Sequence, residues 1–229
     1  MRIIYSAVTD KGKKRKENQD RIFVSDSINA AIDINKNPCF AVFDGMGGEQ
    51  RGGTASEIAK LVLEKKYKKT GFEDICLTAN KMICLYMKKN NVFRMGTTAA
   101  MLGFDNSYAY FCNIGDSRIY KIANNEIEQL SVDHVMNTGR FRTRRVLTQY
   151  LGIPENEIVI EPYMRKKELR SGDTFLLCSD GLTDMVTDEI IKDIIIKSDI
   201  EDTANKLYEK AIANGGKDNI SIIVCKIVD

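Results

Sequence analysis

The sequence predicts an α+β fold in which antiparallel β-sheets are covered by helices, and three observations indicate it. Short segments rich in β-formers follow one another closely, so neighbouring strands can pair antiparallel through tight turns. Apolar residues recur at helical spacing in two regions, and each region has room for a pair of helices. The elements do not alternate strand, helix, strand along the chain, which argues against a parallel sheet.

The first half of the chain is predicted to begin with strands and then to change to helices. The predicted strands cover Ile3 to Thr9, Arg21 to Ser25 and Cys39 to Phe43, and polar turns separate them. Apolar residues at i, i+3, i+4 and i+7 then predict two amphipathic helices, one containing Ala55 to Val62 and one containing Ile75 to Tyr86. We expect each helix to cover a sheet.

The second half returns to strands and ends with another helix pair. The predicted elements are strands at 97–104, 107–114 and 118–123, a strand at 174–179, helices at 188–197 and 200–214, and a strand at 220–227. No linker rich in proline and serine divides the chain, so we predict a single domain over residues 1–229.

Composition and charge exclude several classes of protein. The formal net charge is only +2, so no overall basicity attracts nucleic acid or an anionic membrane. No signal peptide and no apolar run of membrane-spanning length is visible. The six cysteines form no C-x-x-C pair, which argues against zinc and disulfide frameworks. We therefore expect a cytoplasmic protein, and we expect it to be a monomer.

The most informative segment is a strand that delivers an aspartate into a glycine-rich turn. Asp44 follows the apolar residues 41–43, and Gly45, Gly47 and Gly48 come directly after it. A carboxylate fixed at a strand end is a good ligand for a hard cation, and the glycines let backbone carbonyls approach closely. The alternative is an ordinary turn whose aspartate caps the helix beginning near Gly52.

Two further aspartates occupy similar places, which favours the cation interpretation. Asp180 follows the strand that ends in Leu-Cys-Ser, and Asp218 comes just before the final strand. Three carboxylates that converge at one edge of a sheet would repel one another and require cations. Asp116 lies in the turn from Gly115 to Arg118, where an ordinary aspartate-glycine turn is the alternative.

The order of these motifs resembles that of the metal-dependent protein phosphatases of type 2C, the PPM family, in its bacterial style. The resemblance runs from Ser6 nearly to the C-terminus, and the number of motifs in the same order makes it specific. The matching elements are Arg15, 18–20, Asp44 with the glycines after it, 96–98, 115–118, 133–134, 147–148, 151–152, 172–173, 179–184 and 217–219. The resemblance implies an αββα architecture, two antiparallel sheets packed as a sandwich and flanked by pairs of helices.

The resemblance also implies a metal centre and a reaction. Asp44 would bridge two divalent cations, Mn²⁺ or Mg²⁺, with the Gly45 carbonyl completing one site and Asp180 and Asp218 the other. The cations would activate a water for attack on phosphoserine or phosphothreonine, with no covalent intermediate on the protein. The substrates would be phosphorylated proteins, those of a serine/threonine kinase.

Three other residues receive roles from the resemblance. Asp20 would contact the metal shell through water, and Asp116 would help to hold a third, weaker cation. Arg15 would bind the substrate phosphate, for which a planar guanidinium is suited. The alternative for Arg15 is one more charge in the solvated run from Lys11 to Lys16.

Two departures from the family pattern, at Met46 and in the flap, qualify this assignment. Met46 stands where animal members carry a histidine that can protonate the leaving group. His134, the only histidine, is expected to be structural. The segment at about 135–146 corresponds to a flap beside the active site, but it is shorter than usual and basic. It would favour acidic phosphopeptides or gate access differently, and the alternative is an ordinary solvated loop.

Rival functions come from other classes. Cys112 and Arg118 have the spacing of a thiol phosphatase loop, but Cys112 ends an apolar strand instead of preceding a helix. A pseudophosphatase that serves as a binding module would keep the fold and lose metal ligands, and the principal aspartates are all present. Residues 216–218 lack the glycine spacing of a P-loop.

Overall fold

The computed structural model of the chain describes residues 1–26, 31–46, 51–136 and 146–229, and within them two β-sheets pack face to face. The strands are β1 (Arg2–Asp10), β2 (Arg21–Val24), β3 (Ala31–Asp33), β4 (Cys39–Phe43), β5 (Gly45–Met46), β6 (Gly96–Thr97), β7 (Ala99–Phe104), β8 (Tyr108–Ile114), β9 (Arg118–Ala123), β10 (Glu126–Gln129), β11 (Val135–Met136), β12 (Val146–Leu147), β13 (Tyr163–Glu168), β14 (Thr174–Cys178) and β15 (Ile220–Val228). The helices are α1 (Arg51–Lys66), α2 (Phe72–Lys89), α3 (Asp180–Thr183), α4 (Asp188–Lys197) and α5 (Ile200–Ala213).

Every strand pairing in the two large sheets is antiparallel. One sheet has the order β10-β9-β14-β15-β1-β3, and the other has the order β13-β8-β7-β4-β2. The longest pairing joins the two ends of the chain, because β1 runs along β15 from Arg2 opposite Val228 to Asp10 opposite Ile220. The predicted α+β class with antiparallel sheets is confirmed.

Three layers of buried apolar residues hold the sandwich together. Phe40, Phe104 and Phe175 stack edge to face between the sheets, with ring centroids 6.0 and 5.5 Å apart. Helices α1 and α2 cover the outer face of the five-stranded sheet, and α4 and α5 cover the outer face of the six-stranded sheet. The architecture is therefore αββα, as the resemblance implied.

The structure departs from the predicted elements in a few places. Met82 and Tyr86 are exposed on α2, and the helix buries Cys76, Asn80 and Met87 in addition to the predicted apolar positions. Strand β13 was not predicted, because its sequence is largely charged and it lies at a sheet edge. The predicted flap keeps a short hairpin at its base, β11 with β12, and residues 137–145 lie outside the described residues.

Within the described ranges, no helix combines the length and the apolar composition needed to cross a bilayer.

Candidate active site

The register of the five-stranded sheet brings two of the predicted acids together. Arg21 at the start of β2 lies opposite Phe43 at the end of β4. Asp20 precedes the first of these residues and Asp44 follows the second. Antiparallel pairing therefore places both carboxylates at the same end of the sheet.

The register of the six-stranded sheet brings two more acids, Asp180 and Asp218, to one edge. Cys178 at the end of β14 lies opposite Ile222, near the start of β15. Asp180 lies just beyond the first strand and Asp218 just before the second, so both fall at one sheet edge. Asp180 is also the first residue of α3, a short helix where the sequence predicted only a turn.

The two sheet ends meet at a buried carboxylate, Asp20. Its Oδ2 accepts a hydrogen bond of 2.8 Å from Ser179 Oγ, whereas its buried Oδ1 has no partner among the described residues. Burial raises the pKa of Asp20 to about 6, and the charge of Asp218 adds to the rise. Hydrogen bonds from Ser221 and Ser179 act in the opposite direction.

Two neighbouring acids, Asp44 and Asp180, are also buried close to other negative charges. Burial raises the pKa of Asp44 well above its usual range, and the charges of Asp20 and Asp180 raise it further. Burial likewise raises the pKa of Asp180, followed by the charges of Asp116 and Asp218. Asp180 Oδ1 is a second buried oxygen without a partner in the described part of the chain. The cluster therefore holds more negative charge than the protein itself neutralises.

The carboxylates are near neighbours, but they do not form a closed cage. In residues 1–26, 31–46, 51–136 and 146–229, no three His, Cys, Asp or Glu side chains already stand at the spacing of a formed metal site. Oxygen-only ligands with partnerless buried atoms still match the donor chemistry of Mn²⁺ and Mg²⁺. The residues present thus fit a hard divalent cation.

The backbone around Asp44 is fixed from both sides. Asp44 N–H donates to Thr98 Oγ1 at 3.0 Å, and the Asp44 carbonyl accepts from Thr97 Oγ1 and Thr98 N at 2.9 Å each. A Cβ atom on Gly45 would lie 2.3 Å from the Gly52 carbonyl oxygen in the first turn of α1. Only glycine permits this approach, so the turn that carries Asp44 is pressed against the helix.

Asn219 ties the N-terminal loop to the acidic cluster. Its Nδ2 donates to the carbonyls of Lys11 and Glu17 at 3.0 and 2.8 Å, and its Oδ1 accepts from Gln19 N–H at 2.9 Å. In the same loop, Arg15 Nη2 donates to Asp218 Oδ2 at 2.5 Å. The structure therefore brings Arg15 to the cluster, instead of leaving it as one more solvated charge.

Sequence reasoning singled out the acids and missed the residues that position them. Ser179, Thr98 and Asn219 hold Asp20, Asp44 and the N-terminal loop, respectively. All three lie next to predicted acids or inside matched motifs, and this position in the sequence is what could have identified them.

The turn from Gly115 to Arg118 serves two purposes. Asp116 is 7% exposed and contributes to the raised pKa of Asp44 and Asp180, so it belongs to the cluster. Arg118 instead faces away and forms a two-pronged ion pair with Asp133, Nε to Oδ1 at 3.0 Å and Nη2 to Oδ2 at 2.7 Å.

His134 and Met46 take structural places. Gly115 N–H donates to His134 Nδ1 at 3.1 Å, the Gly115 carbonyl accepts from His134 N–H at 2.9 Å, and burial lowers the pKa of the imidazole. Met46 pairs with Gly96 in a short β-ladder and packs on the core beneath α1 and α2. A structural role for His134 is what the sequence predicted.

The thiol phosphatase alternative is wrong. Cys112 lies fully buried inside β8, with its Sγ 3.8 Å from Cys76 Sγ, and contact with that thiol and burial raise its pKa. Its presumed partner Arg118 begins β9 and binds Asp133. A nucleophilic thiolate needs the opposite environment, an accessible position next to positive charge.

An αββα sandwich with carboxylates gathered at one edge is the architecture that the resemblance to the PPM phosphatases implied, and fold and site define a phosphoprotein phosphatase. The family model described as protein phosphatase 2C matches residues 12–213, and the chain belongs to this family. A serine/threonine phosphatase, stp of Listeria welshimeri, is 32% identical over 247 residues that cover 94% of this chain and 92% of that protein.

Solved structures agree with this membership. The serine/threonine phosphatase PstP/Ppp of Mycobacterium tuberculosis superposes with a TM-score of 0.85 at 25% identity, over 100% of both chains. The catalytic domain of PstP in complex with two manganese ions superposes with a TM-score of 0.84 at 27% identity, over 100% of this chain and 99% of that one.

Proposed function

We propose that this protein hydrolyses phosphoserine and phosphothreonine in proteins with a water activated at a centre of two divalent cations. The observation that carries the proposal is the convergence of Asp20, Asp44 and Asp180, with two buried carboxylate oxygens that no described protein group satisfies. Two bound cations would neutralise this charge and supply Lewis-acid activation of water. The two manganese ions of the PstP catalytic domain support the assignment.

The proposed ligands follow the geometry of the cluster. Asp44 would be shared by both cations, because the charges of Asp20 and Asp180 both act on it. The Gly45 carbonyl would contribute to one site, and Asp180 with Asp218 to the other. Asp20 would contact the cations through water, and its position is held by the hydrogen bond from Ser179.

Arg15 is proposed to bind the substrate phosphate. Its guanidinium is more than half exposed and already lies at the edge of the cluster, on Asp218. When Asp218 serves as a cation ligand, the guanidinium becomes available to phosphoryl oxygens, which it can grip through two parallel hydrogen bonds. Met46 offers no proton, so the leaving alkoxide must take its proton from water.

Several broader features belong to the same proposal. Asp116 would help to hold a third, weaker cation, and Mg²⁺ would serve as well as Mn²⁺. The chain would act as one domain over residues 1–229, as a cytoplasmic monomer, on proteins phosphorylated by a serine/threonine kinase. The six free cysteines, five of them buried, support a reducing compartment.

The decisive measurement is turnover of p-nitrophenyl phosphate and of a phosphothreonine peptide with and without Mn²⁺. We expect turnover to require an added divalent cation, Mn²⁺ or Mg²⁺, and Asp180→Asn to lower kcat/KM by at least about a hundredfold, because a ligand of the charge-stabilising centre is lost. Asp193→Asn is the matched control, since Asp193 is exposed on α4 and forms an ion pair with Lys197. Turnover without metal, or normal turnover by Asp180→Asn, would contradict the proposal. A wild-type protein that binds Mn²⁺ without turnover would instead be a pseudophosphatase.

A further inference from the structure

Residues 11–17, called the basic loop below, concentrate positive charge beside the acidic cluster. Five of its seven residues are basic, namely Lys11, Lys13, Lys14, Arg15 and Lys16, in a chain whose formal net charge is only +2. The proposed function uses one of them, Arg15. The four lysines have no role in the proposed phosphate hydrolysis.

The basic loop is held in place by its backbone. Gly12 adopts φ +71°, and a Cβ atom there would lie 2.1 Å from the Asp218 carbonyl oxygen. Lys13 N–H donates to the Gly216 carbonyl at 2.8 Å, and Asn219 binds the loop at both ends, at Lys11 and Glu17. The Cα atoms of the lysines therefore have fixed positions, whereas their side chains can adopt different rotamers.

The lysines surround the proposed phosphate ligand. Consecutive Cα atoms are about 3.8 Å apart, so Lys14 and Lys16 start about 4 Å from Arg15, and Lys13 starts within about 8 Å. All three lysines are exposed, and no residue in the described ranges gives their ammonium groups an ion pair or a hydrogen bond. Arg15, by contrast, is engaged with Asp218.

The positive charge of the lysines is opposite in sign to the negative charge of the acidic cluster. The carboxylates of Asp20, Asp44 and Asp180 would repel acidic residues that entered the cluster. With the phosphate bound by Arg15, the residues that flank the phosphorylated one would lie outside the cluster, near the basic loop. An extended peptide advances about 3.3 Å per residue. Acidic residues within about three positions of the phosphorylated residue would thus fall within reach of the lysines.

We propose that Lys13, Lys14 and Lys16 of the basic loop select phosphopeptides with acidic residues flanking the phosphorylated serine or threonine. This inference rests on the proposed function, and it names the substrate class of the same site. The contacts are exposed ion pairs, each giving about two- to threefold in kcat/KM, and they weaken as salt rises.

The test compares three phosphothreonine peptides of equal length with acidic, neutral and basic flanks. For the wild type at low ionic strength we expect kcat/KM to be about tenfold higher for the acidic than for the neutral peptide, with the ratio falling as salt is added. In the triple variant Lys13→Gln/Lys14→Gln/Lys16→Gln we expect this ratio to fall to about one.

A matched control removes the same charge elsewhere. Lys65→Gln/Lys68→Gln/Lys69→Gln changes three exposed lysines, one in the last turn of α1 and two just after it. The helix is about 24 Å long and its first turn contacts Gly45, so these lysines lie far from the cluster. This control should keep the wild-type preference. If it loses the preference equally, net charge and not the basic loop sets selectivity, and the inference is overturned.

Two further results would also overturn it, and a separate measurement isolates the proposed function. The inference is wrong if the wild type shows no acidic preference, or if the triple variant slows all three peptides by the same factor. Metal-dependent turnover of p-nitrophenyl phosphate, which has no flanking residues, tests the proposed function independently. If turnover is absent, fluorescence anisotropy of the labelled peptides measures the same acidic-to-neutral ratio as an affinity.

Discussion

The acidic cluster and the turn at Arg118 both derive from aspartate-containing motifs, yet their carboxylates have opposite surroundings. The Asp133 carboxylate accepts hydrogen bonds from Nε and Nη2 of Arg118, and another from Gln129 Nε2 at 2.9 Å. In the cluster, Asp20 and Asp180 each keep a buried oxygen without a partner in the described residues. One region is electrostatically complete within the protein, and the other is not.

This difference separates residues that hold the fold from residues available for chemistry. A buried polar atom without a partner is unfavourable for folding, so it persists where another function requires it. A satisfied ion pair needs no such explanation. Three predictions test whether the contrast is real, in order of decreasing effect.

The largest effect is expected from breaking the satisfied region. Asp133→Ala leaves the guanidinium of Arg118, whose side chain is only 18% exposed, without its main partner. Removing one member of a buried pair destabilises a protein by about 3 to 5 kcal/mol, so we expect a loss near the lower end of this range. Urea unfolding measures it, with Asp193→Asn as the control. A loss below about 1 kcal/mol would show that the pair is dispensable.

An effect of at most similar size is expected from titrating Asp20, in the unsatisfied region, in the presence of EDTA. The pKa of Asp20 rises from 3.8 to about 6 on folding, so between these values the folded state binds more protons than the unfolded state. Stability is therefore highest below about pH 4 for this group and falls, by about 3 kcal/mol, as pH rises through about 6.

The measurement is a series of urea titrations across that pH interval. Asp20→Asn removes this titrating group and should make the fall in stability smaller, with the remaining fall coming from Asp44 and Asp180. If the stability of the wild type rises over the same pH interval, the protein stabilises the charged form of Asp20. The cluster would then not be electrostatically unsatisfied.

The smallest effect is expected at Cys112. Cys112→Ser puts a hydroxyl in a buried apolar site next to Cys76, so stability should fall by about 1 to 2 kcal/mol while metal-dependent kcat/KM stays within about twofold. Urea unfolding and p-nitrophenyl phosphate turnover measure the two quantities. Turnover that survives EDTA and disappears in Cys112→Ser would restore the thiol mechanism.

The sequence was sufficient to predict the fold class and the cluster acids because both leave local patterns. Strand β4 and helix α4 have the predicted boundaries. The strand is a short continuous apolar run, and the helix has apolar residues at helical spacing. The charged edge strand β13 escaped prediction, because its pairing with β8 depends on a partner distant in sequence. The unsatisfied oxygens of Asp20 and Asp180 and the clamp at Asn219 are likewise products of tertiary packing, which no single-sequence period encodes.

The pairing of β1 with β15 also bears on how the protein is made. The acidic cluster and its N-terminal loop draw on residues 10–20 and 215–221, near opposite ends of the chain. A nascent chain that has emerged only as far as α5 lacks Asp218, the Asn219 clamp and the strand that pairs along the whole of β1. The acidic cluster therefore cannot form until β15 has been translated and has paired with β1.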